Sequence, residues 1–230
     1  MIIVKGLKKS YQMGGTEFPV LRGIDLHVEK GEFVAVTGRS GSGKSTLLYQ
    51  LGLLDFPNEG SILIDGLETS ELTNEERTSM RLIELGYVFQ DYALLPSLSA
   101  LENVLVPLLM LGLNKKEAHK KAVRALDKVL LSKRLENLPS QLSGGEQQRV
   151  SIARAISFEP KILFADEPTA NLDTETSKMV LDTFIELNES GQTIIMVTHE
   201  KEYALLTDRI LTLSDGVISS TEKGKNKRKD

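Results

Sequence analysis

The sequence predicts an α/β fold: a parallel sheet with helices on both faces, interrupted by a helical lobe. Three observations carry this. FVAVT (33–37), ILFA (162–165) and TIIMVT (193–198) are short, nearly all-apolar runs, the composition of strands buried on both faces. Segments of helical periodicity separate strand-like ones, and that alternation implies parallel pairing. Between about 91 and 158 only helical periodicity occurs.

The elements follow in order. IIVKGL (2–7) and IDLHV (24–28) read as strands by β-branched content and partial alternation. EKGEF turns the chain into FVAVT, and a glycine-rich stretch leads to a helix from about Lys44 to Leu53. SILID (61–65) and GYVFQ (86–90) are strands flanking a charged helix over 74–84. In the lobe, Ala100–Met110 and Lys115–Leu130 are helical, and a third helix starts near Ser143 and stops at Pro160. ILFA, a helix over about 174–190, TIIMVT, a short helix and RILTLS (209–214) complete the core. The polar ending TEKGKNKRKD is expected to be disordered and solvated. The expected organisation is a discontinuous core, 1–90 and 159–220, a helical subdomain, 91–158, and a tail, 221–230.

Bulk composition narrows the function. The 230 residues include 40% hydrophobic and 26% charged, ordinary for a soluble globular protein. A net charge of −4 makes nucleic acid an unexpected partner. The absence of cysteine removes disulfides, thiolate zinc sites and cysteine nucleophiles, and fits a reducing cytosol. The N-terminus lacks a signal-peptide pattern. VLVPLLMLGL (104–113) is too short to span a bilayer and contains Pro107, so any membrane role is expected to be peripheral.

GRSGSGKST (38–46) follows directly on FVAVT. Gly38, Gly43, Lys44 and Ser45 match the P-loop pattern. The glycines, with Arg39, Ser40, Gly41 and Ser42 between and around them, let the backbone curl its N–H groups toward phosphate oxygens. Lys44 supplies a point charge, the Ser45 hydroxyl can hold Mg²⁺, and the helix beginning there with Thr46 presents its positive end. The bland alternative, a flexible glycine turn, does not explain a strand before and a helix after.

KILFADEP places Asp166 and Glu167 beyond the carboxyl end of an apolar strand, where ligands of parallel sheets sit. One carboxylate there can serve a metal, and the next can position or deprotonate water. Without a P-loop upstream, the pair would read as a solvated loop. His199 and Gln90 also lie beyond the carboxyl ends of expected strands, whereas His27 and His119 read as ordinary polar positions. An amide at Gln90 can ligate Mg²⁺ and contact the attacking water.

LSGGEQQR (142–149) reads first as a capping box: Ser143 accepts the N3 amide and Glu146 returns to the cap residue's N–H. A hydroxyl can accept from its own helix and still donate to a phosphate. Gly144 and Gly145 let a ligand approach the backbone at the positive end of that helix.

GRSGSGKST, Gln90, LSGGEQQR, ILFADEP, ANLD and His199, in this order, resemble the nucleotide-binding subunit of an ATP-binding cassette transporter, from Tyr11 to about Gly216. The resemblance implies a P-loop NTPase (RecA-like) core with an N-terminal antiparallel β part and an inserted helical subdomain. It implies ATP and Mg²⁺ as ligands, bound between two subunits arranged head to tail, as a homodimer or with a related ATPase subunit. Tyr11 would stack on adenine. Ser143, Gly144 and Gly145 would cap the γ-phosphate of the partner's ATP, and Glu146, the signature's fifth residue, belongs to the same binding motif. Glu167 would be the catalytic base, His199 would hold the γ-phosphate and the water, and Asp173 of ANLD would cross the interface. Glu146 stands where glutamine is also common, and Arg39 and Asn171 occupy variable positions.

The stretch near 90–105 would receive an integral membrane subunit on the cytoplasmic face of the membrane. QDYALLPSLSALENV (90–104) resembles the branch of lipoprotein-release, macrolide-efflux and antimicrobial-peptide-resistance ATPases, with the cell-division ATPase also similar. Leu94, Leu95, Leu98, Leu101, Val104 and Leu105 are expected mostly to pack the lobe's core, with some exposed for docking. The competing reading is a soluble relative acting on DNA, ribosomes or cluster assembly. The sequence shows neither the long coiled-coil insertion of DNA-end members nor the second cassette of ribosome-acting ones. A non-enzymatic regulator is disfavoured by Glu167 and His199.

Overall fold

The computed structural model describes residues 1–226. The chain forms two compact units, one from Met1–Ser79 and Asn188–Asp230, the other from Met80–Leu187. Among the described residues no helix is long and apolar enough to cross a membrane.

In the first unit, β1 (Ile2–Met13) and β2 (Thr16–Val28) form one long hairpin. The two expected strands are its inner ends, and Gly14 and Gly15 make the turn with φ of 57° and 83°. Pro19 is tolerated because β2 is an edge strand and the register shifts between Lys9 and Ser10. β3 (Phe33–Thr37) is buried through Val36 and leads through the glycine loop to α1 (Lys44–Leu51). β4 (Glu59–Ile64) and β5 (Leu67–Glu68) extend the antiparallel sheet in the order β2-β1-β4-β5. α2 (Asn74–Ile83) follows. The boundary between the units falls within α2, and β6 (Leu85–Val88) is the first strand of the second unit.

α3 (Ala100–Met110), α4 (Lys115–Lys128) and α5 (Gly144–Ile156) form the helical lobe of the second unit. Ser99 and Glu102 start α3 with a capping box. Ala118, Ala122, Ala125 and Leu126 give α4 one small apolar face, all of it buried. β7 (Ile162–Asp166) pairs in parallel with β6 and is buried throughout. α6 (Thr174–Glu189) packs Val180 and Phe184 inward.

The chain then re-enters the first unit with β8 (Thr193–Val197), α7 (Lys201–Ala204), β9 (Arg209–Ser214) and β10 (Val217–Lys223). β3 lies between β8 and β9, parallel to both. β10 corrects the expectation of a disordered tail from 221. Its edge pairing with β9 runs to Lys223↔Arg209, and Gly224 and Lys225 donate to the Asp208 and Leu205 carbonyls, both at 2.8 Å. The rest of that expected tail, 227–230, lies outside the described residues.

Candidate functional site

In the first unit, β3 and β8 run side by side with Val36 opposite Val197. The loop after β3 and His199 after β8 therefore leave the sheet at the same carboxyl end. His199 lines, with Gly38, Arg39, Ser40, Gly41 and Ser42, an open cleft of about 930 Å³. Gly38 cannot be replaced there: at φ 147°, a Cβ would sit 2.2 Å from the Leu213 carbonyl oxygen. Gly43 caps α1, whose first residues are Lys44, Ser45 and Thr46.

Lys44 is 7% exposed, and its ammonium donates to the Gly38 and Arg39 carbonyls, both at 3.1 Å. The Ser42 hydroxyl is buried with no hydrogen-bond partner among the described residues. A buried hydroxyl left in this way is costly unless a ligand meets it. Loop, lysine and hydroxyl thus fit a bound polyphosphate.

Tyr11 is fixed beside this loop by residues the sequence reading missed. Its hydroxyl donates to Asp55 Oδ2 at 2.9 Å, and Lys9 donates to Asp55 Oδ1 at 2.9 Å while lying 4.9 Å from the Tyr11 ring centroid. A hydrogen bond also joins Tyr11 to Thr46. Burial and the Asp55 carboxylate raise the Tyr11 pKa. Burial acts to raise the Asp55 pKa too, but hydrogen bonds from Lys9, the Phe56 N–H and Tyr11 outweigh it and hold the carboxyl below its ordinary value. The ring, 37% exposed, is a braced flat surface.

In the second unit, β6 pairs with β7 with Val88 opposite Ala165. Gln90, Asp166 and Glu167 consequently emerge at one end of that pair. Asp166 is buried, Glu167 is partly exposed and Gln90 is exposed. Glu167 has φ 43°, a left-handed conformation that costs a non-glycine residue about 1–3 kcal/mol. Asn171 donates to the Gln90 carbonyl at 3.2 Å.

Ser143 caps α5 as expected: Ser143 N–H donates to Glu146 at 2.9 Å, and Glu146 N–H to the Ser143 hydroxyl at 3.3 Å. The Ser143 N–H, foremost, and Arg134, bonded at 2.8 Å, hold the Glu146 carboxyl below its ordinary pKa against burial. Gly145 is a close-approach position, since a Cβ would fall 1.9 Å from Thr176 Cγ2. Thr176 is itself held by Asp173, donating its N–H at 2.9 Å and its hydroxyl at 2.8 Å. These two bonds place Asp173 as the cap of α6 and lower its carboxyl pKa.

The segment after Gln90 is clamped to α5. Tyr92 and Ala93 are both left-handed, φ 64° and 48°, and Arg154 on α5 donates to both carbonyls, at 3.1 and 2.6 Å. Burial pulls the Arg154 pKa down. The Tyr92 hydroxyl lies 2.9 Å from where a Gly144 Cβ would stand. Of the apolar residues in this stretch, Leu95 is exposed, Leu94, Leu98 and Leu105 are half-buried, and Leu101 and Val104 are buried.

A parallel strand, a glycine loop with a buried lysine and a helix, in that order, define a P-loop nucleotide-binding protein. Comparison with known proteins narrows the class. The profile of the ABC transporter family matches residues 21–170. The lipoprotein-releasing system ATP-binding protein LolD of Aquifex aeolicus is 52% identical over 87% of this chain and 90% of its own length. The macrolide export ATP-binding/permease protein MacB of Bdellovibrio bacteriovorus is 47% identical over 97% of this chain, which spans 34% of that longer protein. The dimeric, post-hydrolysis structure of the ATP-binding cassette MJ0796 with ADP and Pi superposes with TM-score 0.91 at 40% identity, covering 97% of this chain and 98% of that one. The chain belongs to the ABC transporter family. It is an ATP-binding, ATP-hydrolysing motor subunit of that kind, and its fold is that of the cassette ATPases.

Proposed function

We propose that two such subunits, identical or related, close head to tail around two ATP molecules. Each nucleotide is held by the P-loop of one subunit and capped by Ser143, Gly144 and Gly145 of the other. The observation that carries this reading is a pair of helix N-termini built for an anion, only one of which has a lysine. α1 begins with Lys44, whereas the first turn of α5 has a hydroxyl at its cap, two glycines and no cation of its own. The second is complete only when the partner's Lys44 supplies the charge.

In this reading Tyr11 stacks on adenine, braced by Asp55 and Lys9. Backbone N–H groups from Gly38 to Gly43 and the Lys44 ammonium bind the β- and γ-phosphates. Ser45 and Gln90, with Asp166 through water, would hold Mg²⁺, an all-oxygen donor set of the kind that ion takes. Held there, Mg²⁺ would supply charge neutralisation at the phosphate oxygens. Glu167 takes the proton of the attacking water, and His199 donates to the γ-phosphate and orients that water. Asp173 crosses the interface, and Glu146 stiffens the cap.

Closure moves an integral membrane subunit docked near 90–105, where Leu95 is exposed, and hydrolysis resets it. The protein is then peripheral on the cytoplasmic face of the cell membrane. Similarity to the lipoprotein-releasing and macrolide-export proteins places its transporter in that branch. The proposed domain division is the core, 1–90 and 159–220, around the helical insertion 91–158. Glu167→Gln tests the chemistry: ATP binding is retained, turnover nearly disappears, and an ATP-bound dimer accumulates on gel filtration. Wild-type turnover in that variant would remove Glu167 as the base. Recovery from membranes with an integral membrane protein tests the partner, and recovery with ribosomes or DNA contradicts it.

A further inference from the structure

α4 carries six cations, Lys115, Lys116, Lys120, Lys121, Arg124 and Lys128, against Glu117 and Asp127, within a chain of net charge −4. Lys116, Lys120, Arg124 and Lys128 recur at intervals of four and are all exposed, so they form one ridge about 18 Å long at 1.5 Å per residue. Like charges at that spacing repel along a helix. Neither acid of the helix relieves the ridge. Glu117 bonds Asn114 at 2.7 Å, and Asp127 accepts from Ser132. None of the four cations has an ion-pair partner among the described residues.

Exposed apolar side chains stand at both ends of the ridge. Met110 is 66% exposed, with Leu109 beside it, at the α3 end that turns into α4. Leu130 is 84% exposed immediately after the helix, at φ 60°. Cations flanked by exposed apolar groups are the signature of a surface that lies on an anionic bilayer, the headgroups meeting the charges and the apolar side chains entering the interface.

We propose that the α4 ridge, with Met110 and Leu130 at its ends, rests on the anionic lipid surface. This inference rests on the reading that the chain works at a membrane, but it assigns a contact with lipid rather than with a protein subunit. A lipid contact would fix the orientation of the helical lobe independently of docking near 90–105.

The test is flotation of the purified full chain with phosphatidylcholine vesicles, with and without phosphatidylglycerol. The chain is expected to float only with the anionic vesicles. Lys120→Gln with Arg124→Gln should weaken that binding about 25-fold, fivefold per charge. Met110→Ser with Leu130→Ser should weaken it further, with ATPase activity unchanged in all variants. A control removes tail charges instead, Lys225→Gln, Lys227→Gln and Lys229→Gln, and is expected to bind as wild type. The proposal is overturned if the anionic vesicles do not bind, if only the tail variant loses binding, or if the ridge captures a polyglutamate peptide while vesicles stay free. ATPase and ATP-driven dimerisation, measured on the same samples, separate these failures from a failure of the motor reading.

Discussion

Gly145→Ala separates what the second cradle owes to packing from what it owes to nucleotide. The added Cβ would lie 1.9 Å from Thr176 Cγ2, against an ordinary carbon–carbon contact of about 3.5–4.0 Å. Thr176 cannot rotate its methyl away without giving up its hydroxyl bond to Asp173. Overpacking of this kind costs about 1–3 kcal/mol, offset by up to about 1 kcal/mol from replacing a helical glycine. Thr176→Ser removes the colliding methyl and keeps the hydroxyl, leaving contacts of 3.4 and 3.7 Å. In that background Gly145→Ala should be neutral or slightly stabilising. Urea unfolding of the wild type, both single variants and the double variant should therefore give a coupling energy of about 1–3 kcal/mol. Coupling near zero would refute the packing argument. If the double variant folds like wild type yet hydrolyses ATP poorly, the remaining loss belongs to the nucleotide contact proposed for Gly145.

Other positions give independent tests. Gln50 is fully buried with neither amide atom hydrogen-bonded among the described residues, so Gln50→Met should raise the urea-unfolding free energy by about 1–2 kcal/mol. Tyr11→Ala should raise KM for ATP about tenfold with kcat little changed, a base stack being worth about 1–3 kcal/mol, while Tyr11→Phe, which keeps the ring, should leave KM close to the wild-type value. Glu146 titrates below its ordinary value when folded, so its contribution is present above about pH 4.3 and is lost as pH falls through the lower folded value. The thermal-stability gap between wild type and Glu146→Gln should accordingly close on acidification and stay constant above pH 6, where about all glutamates are ionised.

The parts of the fold legible in the sequence are those set by local pattern. β3, β7 and β8 are apolar and buried almost throughout, and the starts of α3 and α5 carry their capping boxes in the sequence. Edge elements are less legible. The outer halves of β1 and β2 and the whole of β10 are largely solvated, so backbone pairing rather than side-chain burial makes them strands. The site divides in the same way. Motif residues announce themselves by type and spacing. The groups that brace them do not: Asp55 lies 44 residues from Tyr11, Arg154 lies 62 from Tyr92, and the left-handed turn at Glu167 leaves no compositional trace.

The central claim is that Lys44 and Ser143 of different chains share one nucleotide. The chain has no cysteine, so an introduced pair reports without background. Ser40→Cys and Ser143→Cys, both exposed and nearly isosteric, are combined with Glu167→Gln to hold the closed state, and oxidation is followed on non-reducing gels. With ATP the account predicts a disulfide-linked dimer, and without ATP a monomer with free thiols. A pair that closes within one chain, or a monomer whatever the nucleotide, would contradict it.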